Sequence, residues 1–302
     1  MSLDLTNILA GWEYDPAGAT VRIITADDGR ELIQLRLDLG VLQMELNGRP
    51  DGRPPQGFKS YLDLMEQRVR AHAESHPDDA PLLLDSDECA QLLREGVQYY
   101  HRYLSLWHLK RYELCARDTA RNLRLFAFVR ESARHERDKL QFDQWRPYVT
   151  MMHTRAVATP LVELEQIDAA LTAIESGIDK IEAFLADYQQ SDKAARCGEL
   201  QNLKRWREEL QERNARDVAD EILGREPAEH GQLAEPASAD GASGGEREGL
   251  AAADPPSEIA LLRSQLAEAV AGERYEEAAL LRDEIRRRDQ TAADNAPPAS
   301  GE

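Results

Sequence analysis

Apolar and polar positions alternate along the first fifty residues. Ile33, Leu35, Leu37, Leu39 and Val41 are separated by Gln34, Arg36, Asp38 and Gly40. That period of two belongs to a strand with one buried face. Val21 and Ile23 alternate in the same way upstream, and Asp28-Gly29 lies between the two runs as a hairpin turn. A third short strand is read over Leu42–Leu46. The next segment, NGRPDGRPPQG (47–57), is a loop, because its glycines and prolines block regular structure. Two or three strands are marginal in water by themselves, so residues 1–57 are expected to form a β-hairpin region that packs on a helix.

From residue 58 to 224 the pattern turns helical. Tyr61–His76 reads as one helix, stopped near His76-Pro77. Ser86 is the expected cap of the next, with Cys89, Leu92, Leu93 and Val97 at three- and four-residue spacing. Tyr100, Tyr103, Leu104 and Trp107 keep that spacing, and Tyr112–Arg134 continues as a further helix. The clearest periodicity follows. Leu164, Ile167, Leu171, Ile174, Ile178, Ile181, Leu185 and Tyr188 step by threes and fours, a heptad seam over 161–190 that needs a partner helix. Residues Ala194–Leu223, with Leu200, Leu203, Trp206 and Leu210 apolar, supply one through a turn near Gln189–Lys193. The predicted fold class is mainly α: a small β-hairpin on a helical domain with a long antiparallel helical hairpin.

Periodicity then disappears. Residues 225–256 are rich in Gly, Ala, Pro, Ser and acid, and cannot bury enough surface to offset the entropy of ordering. They are expected to be a disordered acidic linker, spanning on the order of 30 Å for about thirty residues. Residues 290–302 read as a second disordered tail. Between them, Ser257 caps a stripe of Ile259, Leu262, Leu266 and Val270, and Gly272 marks a helix C-terminus. A second helix starts near Tyr275 with Ala278, Ala279, Leu281, Arg282 and Ile285 on or beside its inner face. The adjacent alanines carry nothing beyond Cβ, so the two helices can approach closely there, as a tight αα-hairpin over 257–289. Arg282 is placed to pair with Glu276 or Glu277, or with a partner chain.

Charge refines this division. The chain carries a formal net charge of -19, which disfavours tight non-specific binding of nucleic acid by the whole molecule. The balance is local, however: Val97–Arg155 has twelve Lys/Arg against six Asp/Glu, whereas Arg216–Pro256 has three against ten. The basic stretch is either a solvated helix face or a nucleic-acid surface, with Arg117, Arg121, Arg124 and Lys139 as its contacts. No apolar run is long enough to span a membrane. The N-terminal MSLDLTNILAGW lacks a basic n-region and a long apolar h-region, and Cys89, Cys115 and Cys197 form no CxxC. A reducing cytoplasm is the expected compartment.

The C-terminal hairpin resembles the UVR motif of the B and C subunits of the bacterial excinuclease, which also occurs in regulators of bacterial Clp chaperone-proteases. The resemblance is carried by Leu262, Leu266, Tyr275, Glu276, Ala278, Ala279, Leu281, Arg282, Asp283 and Ile285, with Tyr275 where phenylalanine is more usual. It implies a docking hairpin that pairs with another UVR hairpin, with a partner helix or with a second copy of itself, and it implies no catalysis. The departures limit it. The chain has no GxxxxGK[ST] phosphate loop and none of the CxxC pairs of the kinase activator that carries this motif. Inside the chain, Arg111-Tyr112-Glu113 and Arg117-Asp118 echo Arg274-Tyr275-Glu276 and Arg282-Asp283, with the Arg-Asp pair two residues closer. That echo is read as a coincidence of helix-turn-helix packing, with a tetratricopeptide-like hairpin over Val97–Phe126 as the alternative.

Other chemistry is sparse. Glu131 and His135, followed by Glu136 and Asp138, form the best carboxylate–imidazole cluster, the seat of a metal-dependent enzyme if there is one. His101 and His108 lie seven apart, too far for a metal pair on one helix turn. Cys115 has no adjacent base, so burial is expected. Arg49 and Arg53 lie among glycines and could hold a phosphate, but Pro54-Pro55 intervenes before any helix N-terminus. The expectation is a non-enzymatic adaptor without a cofactor, using its tethered hairpin to bind protein. Nucleic-acid binding through 97–155 is the alternative.

Overall fold

The computed structural model describes residues 4–16 and 18–222; the segments 225–256, 257–289 and 290–302 lie outside the described residues. A short helix, α1 (Thr6–Leu9), precedes β1 (Val21–Thr25), β2 (Glu31–Leu37) and β3 (Gly40–Glu45). The strands form one antiparallel sheet in the order β1-β2-β3. Helices α2 (Tyr61–Ser75), α3 (Ser86–His108), α4 (Tyr112–Ser132), α5 (Glu136–Asp143), α6 (Arg146–Glu163), α7 (Ile167–Asp187) and α8 (Gly198–Ile222) follow. The described chain is mainly helical, with its small sheet at the N-terminal end.

The first hairpin turns where the sequence places it. The Gly29 amide donates to Ala26 O at 2.9 Å, and Gly29 adopts φ +83°, which a residue without Cβ adopts at little cost. The second hairpin corrects the sequence reading. Ile33–Val41 is not one strand, because β2 ends at Leu37 and Asp38-Leu39 form a two-residue turn that pairs Leu37 with Gly40. Such a turn inverts parity. Core-facing positions are odd in β2 (Ile33, Leu35) and even in β3, where Leu42 and Met44 stand opposite them. Leu39 therefore lies 93% exposed at the tip. On the other face, Arg22 Nε donates to Gln34 Oε1 at 2.8 Å and Gln34 Nε2 to Gln43 Oε1 at 2.9 Å. The Arg22 guanidinium lies 3.8 Å over the Trp12 ring, so this polar row is covered and Gln34 is buried.

Helix caps follow local chemistry. The Ser60 hydroxyl accepts from the Asp63 amide at 3.1 Å and starts α2. The cap of α3 is Asp85, one residue before the expected Ser86. Its carboxylate accepts from the Glu88 amide at 2.9 Å while Glu88 accepts from the Asp85 amide at 3.0 Å. A carboxylate in a reciprocal box with Glu88 takes the cap position. Ser86 Oγ is thereby left to donate to Asp138 on α5, at 2.8 Å.

The heptad seam is divided. Leu161 belongs to α6, and Leu164 follows that helix and is 66% exposed. Glu165 then takes φ +58°, and α7 starts afresh at Ile167. The buried face of α7 is Ala170, Ile174, Gly177, Ile178, Ile181 and Leu185. It packs on both α6 and α8, so the seam has two partners where one was expected. A 3-10 turn, Ser191–Arg196, leads into α8. The Lys204–Glu182 ion pair (2.6 Å), with its members almost equally distant from that turn, fixes an antiparallel register.

Two apolar clusters result. One joins Ile33, Leu35 and Met44 of the sheet to Tyr103 and Leu106 of α3 and to the buried faces of α6, α7 and α8. The other gathers Leu62 and Met65 of α2 with Leu92, Leu125, Val129, Phe142 and Val149. Helices α3 and α4 contribute to both.

Candidate functional site

The hairpin residues Leu262, Leu266, Tyr275, Glu276, Ala278, Ala279, Leu281, Arg282, Asp283 and Ile285 lie outside the described residues. Within the described body, the densest polar constellation sits where α3 and α4 cross between the two apolar clusters. It consists of Glu95, Arg102, Asp118 and Asn122, all buried.

Arg102 is 1% exposed and forms a two-pronged pair with Asp118, Nε to Oδ2 at 2.6 Å and Nη2 to Oδ1 at 3.0 Å. Its remaining Nη1 donates to Glu45 O at 2.9 Å, at the end of β3. Glu95, with no exposed surface, accepts from the Tyr61 and Leu62 amides at 2.7 and 3.1 Å. It thereby takes the donors that the first turn of α2 leaves open, where a negative charge is also favoured. Arg121 Nη2 donates to Glu95, and its guanidinium lies 4.1 Å over the Tyr99 ring. Burial holds the Arg121 pKa below that of a free arginine and raises that of Tyr99. Asn122 Nδ2 donates to Gly96 O at 3.0 Å, where a Cβ on Gly96 would stand 3.1 Å from Leu125.

The same lattice ties down the loop after β3. Arg117 donates to Asp118 (2.9 Å), to Asn47 Oδ1 (2.9 Å) and to Leu46 O (3.0 Å). Arg49 Nε approaches Asp51 at 3.2 Å and Glu95 at 3.3 Å, a charge contact without hydrogen-bond alignment. The side chain considered for phosphate therefore already faces two carboxylates. Arg53 contributes its carbonyl, which accepts from Arg49 Nη1 at 3.1 Å.

The basic face considered for nucleic acid is engaged inside the chain. Arg117 and Arg121 serve the lattice, Arg124 pairs with Asp63 and with Glu66 (3.1 Å), and Lys139 pairs with Glu136 (3.2 Å). Asp63, Glu66 and Glu95 lie outside residues 97–155. A charge balance over that window includes Asp118 and Glu136 but leaves out these three carboxylates.

The remaining candidates separate. Glu131 is in the last turn of α4, which ends at Ser132, and His135 caps α5; both are exposed. The helix end between them removes the one-turn spacing that a shared metal needs. Among the described residues no group of three or more His, Cys, Asp and Glu is placed to hold a metal ion. His101 is half-buried and His108 exposed, and burial lowers the pKa of His101. Cys115 has no exposed surface, and burial raises its thiol pKa well above that of free cysteine. Burial likewise pushes Cys89 up to about 12, so neither thiol is a ready nucleophile. Sequence reasoning did not single out Asp143, 1% exposed, which accepts from Arg146 Nε (2.8 Å) and from the Tyr188 hydroxyl (2.6 Å). Burial and that hydrogen bond raise Tyr188 to about 12.

Sequence reasoning also missed Glu95 and Arg102, although the sequence carries a signal for them. Leu92, Glu95, Tyr99, Arg102 and Leu106 step 3-4-3-4 along α3, which places two charges in the apolar stripe. Cys115, Asp118, Asn122, Leu125 and Val129 do the same on α4. A charge in phase with an apolar stripe on each of two consecutive helices marks a buried pair.

Residues 257–289 match the family model of the UvrB/uvrC motif, UVR. This is the segment that the sequence pattern marks as an αα-hairpin, and the match points to a UvrB/UvrC-like interaction or a DNA-repair-associated role. No curated protein and no solved structure matches the chain.

Proposed function

We propose that this protein is a non-enzymatic adaptor of the bacterial cytoplasm whose C-terminal UVR segment binds a protein partner. The observation that carries this reading is the UVR match at 257–289. The partner is another UVR hairpin, a helix of a different protein, or the same segment of a second copy. The acidic composition of 225–256 suits a tether between the motif and the helical body. The ion pairs of the body favour a protein partner over nucleic acid, because Arg117, Arg121, Arg124 and Lys139 already face carboxylates of this chain.

The test uses the full-length chain, Ala278→Glu and Arg282→Ala as baits, with sedimentation of each to read self-association. Ala278→Glu adds volume and charge where the sequence reading allows only a methyl, so partner binding should fall by about 2 kcal/mol, roughly thirtyfold. Arg282→Ala removes a donor fork and should weaken binding by less. The melting temperature of the body should move in neither variant. Equal capture and equal self-association by wild type and Ala278→Glu would sink the adaptor reading. Binding to duplex DNA that falls steeply with salt and is lost in Arg124→Glu would favour the nucleic-acid alternative instead.

A further inference from the structure

The sheet protects its two edges unequally. At the end of β3 the outward groups are taken: the Glu45 amide donates to Pro50 O at 2.9 Å, and Glu45 O accepts from Arg102 Nη1 at 2.9 Å. The opposite edge is β1. The Ala26 amide donates to Arg30 O (2.8 Å) and the Arg36 amide to Thr20 O (2.9 Å), so the even-numbered residues of β1 turn their backbone groups toward β2. The backbone groups of Val21, Ile23 and Thr25 therefore point away from the sheet, and they meet no hydrogen-bond partner among the described residues. The chain ahead of β1 leaves Trp12 and returns at Thr20 beside the same residue, Arg36, whose Nε donates to Trp12 O at 3.1 Å. Both ends of that segment thus sit at the start of β1 and not along its edge.

Soluble proteins commonly blunt such an edge with lysine, proline or a bulge. The strand, VRIIT, has neither residue, and its pairing with β2 is continuous. Its one charge, Arg22, is drawn onto Gln34, Ile8 O and the Trp12 ring. Ile23 and Ile24 are half-exposed on opposite faces.

We infer that β1 pairs antiparallel with β1 of a second copy, on a twofold axis through Ile23. The strand is self-complementary in that register. Ile23 meets Ile23 and Val21 meets Thr25, each pair exchanging both backbone bonds. Arg22 stands opposite Ile24, so no like charges face each other. An unrelated extended segment could satisfy the same backbone groups, but a second copy also covers Ile23 with Ile23. The edge is only five residues long, so the pairing is weak and is read at about 100 μM protein.

The test uses the full-length chain carrying Ala278→Glu, so that self-association through the C-terminal motif does not contribute. With oxidised glutathione, Ile23→Cys should form a dimer through the 23–23 linked peptide, because the Cα atoms of such a pair lie about 5.5 Å apart, within disulfide reach. Thr25→Cys is more exposed, yet its two copies would lie about 13 Å apart along the strands, so it should cross-link about tenfold more slowly. Thr25→Pro removes an outward donor and no bond to β2, and in sedimentation it should raise the dimer dissociation constant about tenfold. Cross-linking at 23 no faster than at 25 would mean random collision and overturn the pairing. So would a sedimentation profile that is monomeric at every concentration, or one that Thr25→Pro leaves unchanged.

Discussion

The helical body is joined in two chemically different ways. Where α7 meets α6 and α8, the contact is apolar and close, with Ile174 and Ile181 almost fully buried and Gly177 set against Thr154. Where α3 meets α4, the same 3-4 spacing carries charges, with Arg102 held on Asp118 and Glu95 on Arg121 and the α2 amides. The apolar joint gains from every ångström squared removed from water. The charged joint gains little from burial itself, because desolvation offsets much of the attraction. What it adds is direction. Each donor and acceptor has a fixed partner, and those partners reach β3, the following loop and α2. One joint supplies cohesion and the other sets how the sheet and α2 sit on the helices.

The largest expected effect breaks the apolar joint. Ile174→Asp puts an unpaired charge in a site with no exposed surface, and should cost about 4 kcal/mol in a denaturant titration. A loss under about half a kcal/mol would show that face to be solvated. The charged joint should respond next. Asp118→Ala leaves Arg102 buried without its carboxylate, at a cost of about 3 kcal/mol. Arg102→Met combined with Asp118→Ala removes both charges and should recover more than half of that loss, since an apolar replacement needs no partner. If the double variant is as unstable as the sum of the single ones, Arg102 and Asp118 act independently and the contrast between the joints fails.

The two joints were also unequally legible in the sequence. Ile174, Ile178, Ile181 and Leu185 announced themselves because period and residue type agree. Residues Glu95, Arg102 and Asp118 share the period but not the residue type, and beyond the pairs between α3 and α4 their partners come from β3, its loop and α2, which no local pattern reports. The same limit applies to Arg124, whose charge looked free until Asp63 and Glu66 stood beside it. The second hairpin turn was missed for a different reason. Asp38-Leu39 continues the alternation of β2, so only the missing turn chemistry, with no glycine or asparagine at the tip, hid the hairpin. The C-terminal motif was legible because its small residues and leucines are specific in sequence, and the family match falls on the same residues, 257–289.

A smaller effect compares the two glycines. A Cβ on Gly177 would lie 2.8 Å from Thr154 Cγ2 and 2.9 Å from its Cβ, distances that force the helices apart. On Gly96 it would lie 3.1 Å from the flexible end of Leu125, which can yield. Gly177→Ala should therefore cost about 2 kcal/mol, whereas Gly96→Ala should stay under about 1 kcal/mol because helix propensity offsets mild crowding. Adding Thr154→Ala should restore part of the Gly177→Ala loss and do nothing for Gly96→Ala. Equal costs at both positions would mean that the α6–α7 contact is no closer than that of α3–α4.

The smallest effect is a pH dependence at the boundary between the two joints. His153 on α6 points its Nδ1 at Thr119 Oγ1 (3.1 Å) and Ala116 O (3.2 Å) of α4. Burial lowers its pKa, the Ala116 carbonyl opposes that shift, and Lys180 of α7 adds to it. Burial lowers His101 on α3 as well. Above about pH 6.5, the ordinary histidine value, both rings are neutral in the folded and unfolded chains, and their contribution is fully present. As pH falls below that value the unfolded chain takes up protons first, so stability declines and levels off only below the folded pKa values. Denaturant titrations at pH 7.5 and 5.5 should show the wild type losing stability on acidification. His153→Asn, which keeps a polar atom near Nδ1 but does not titrate, should lose less, as should His101→Gln. If His153→Asn alone flattens the slope, the acid-sensitive point is the α4–α6 contact, where the charged joint adjoins the apolar one. A slope unchanged in both variants would place the acid sensitivity in carboxylates and remove histidine from either joint.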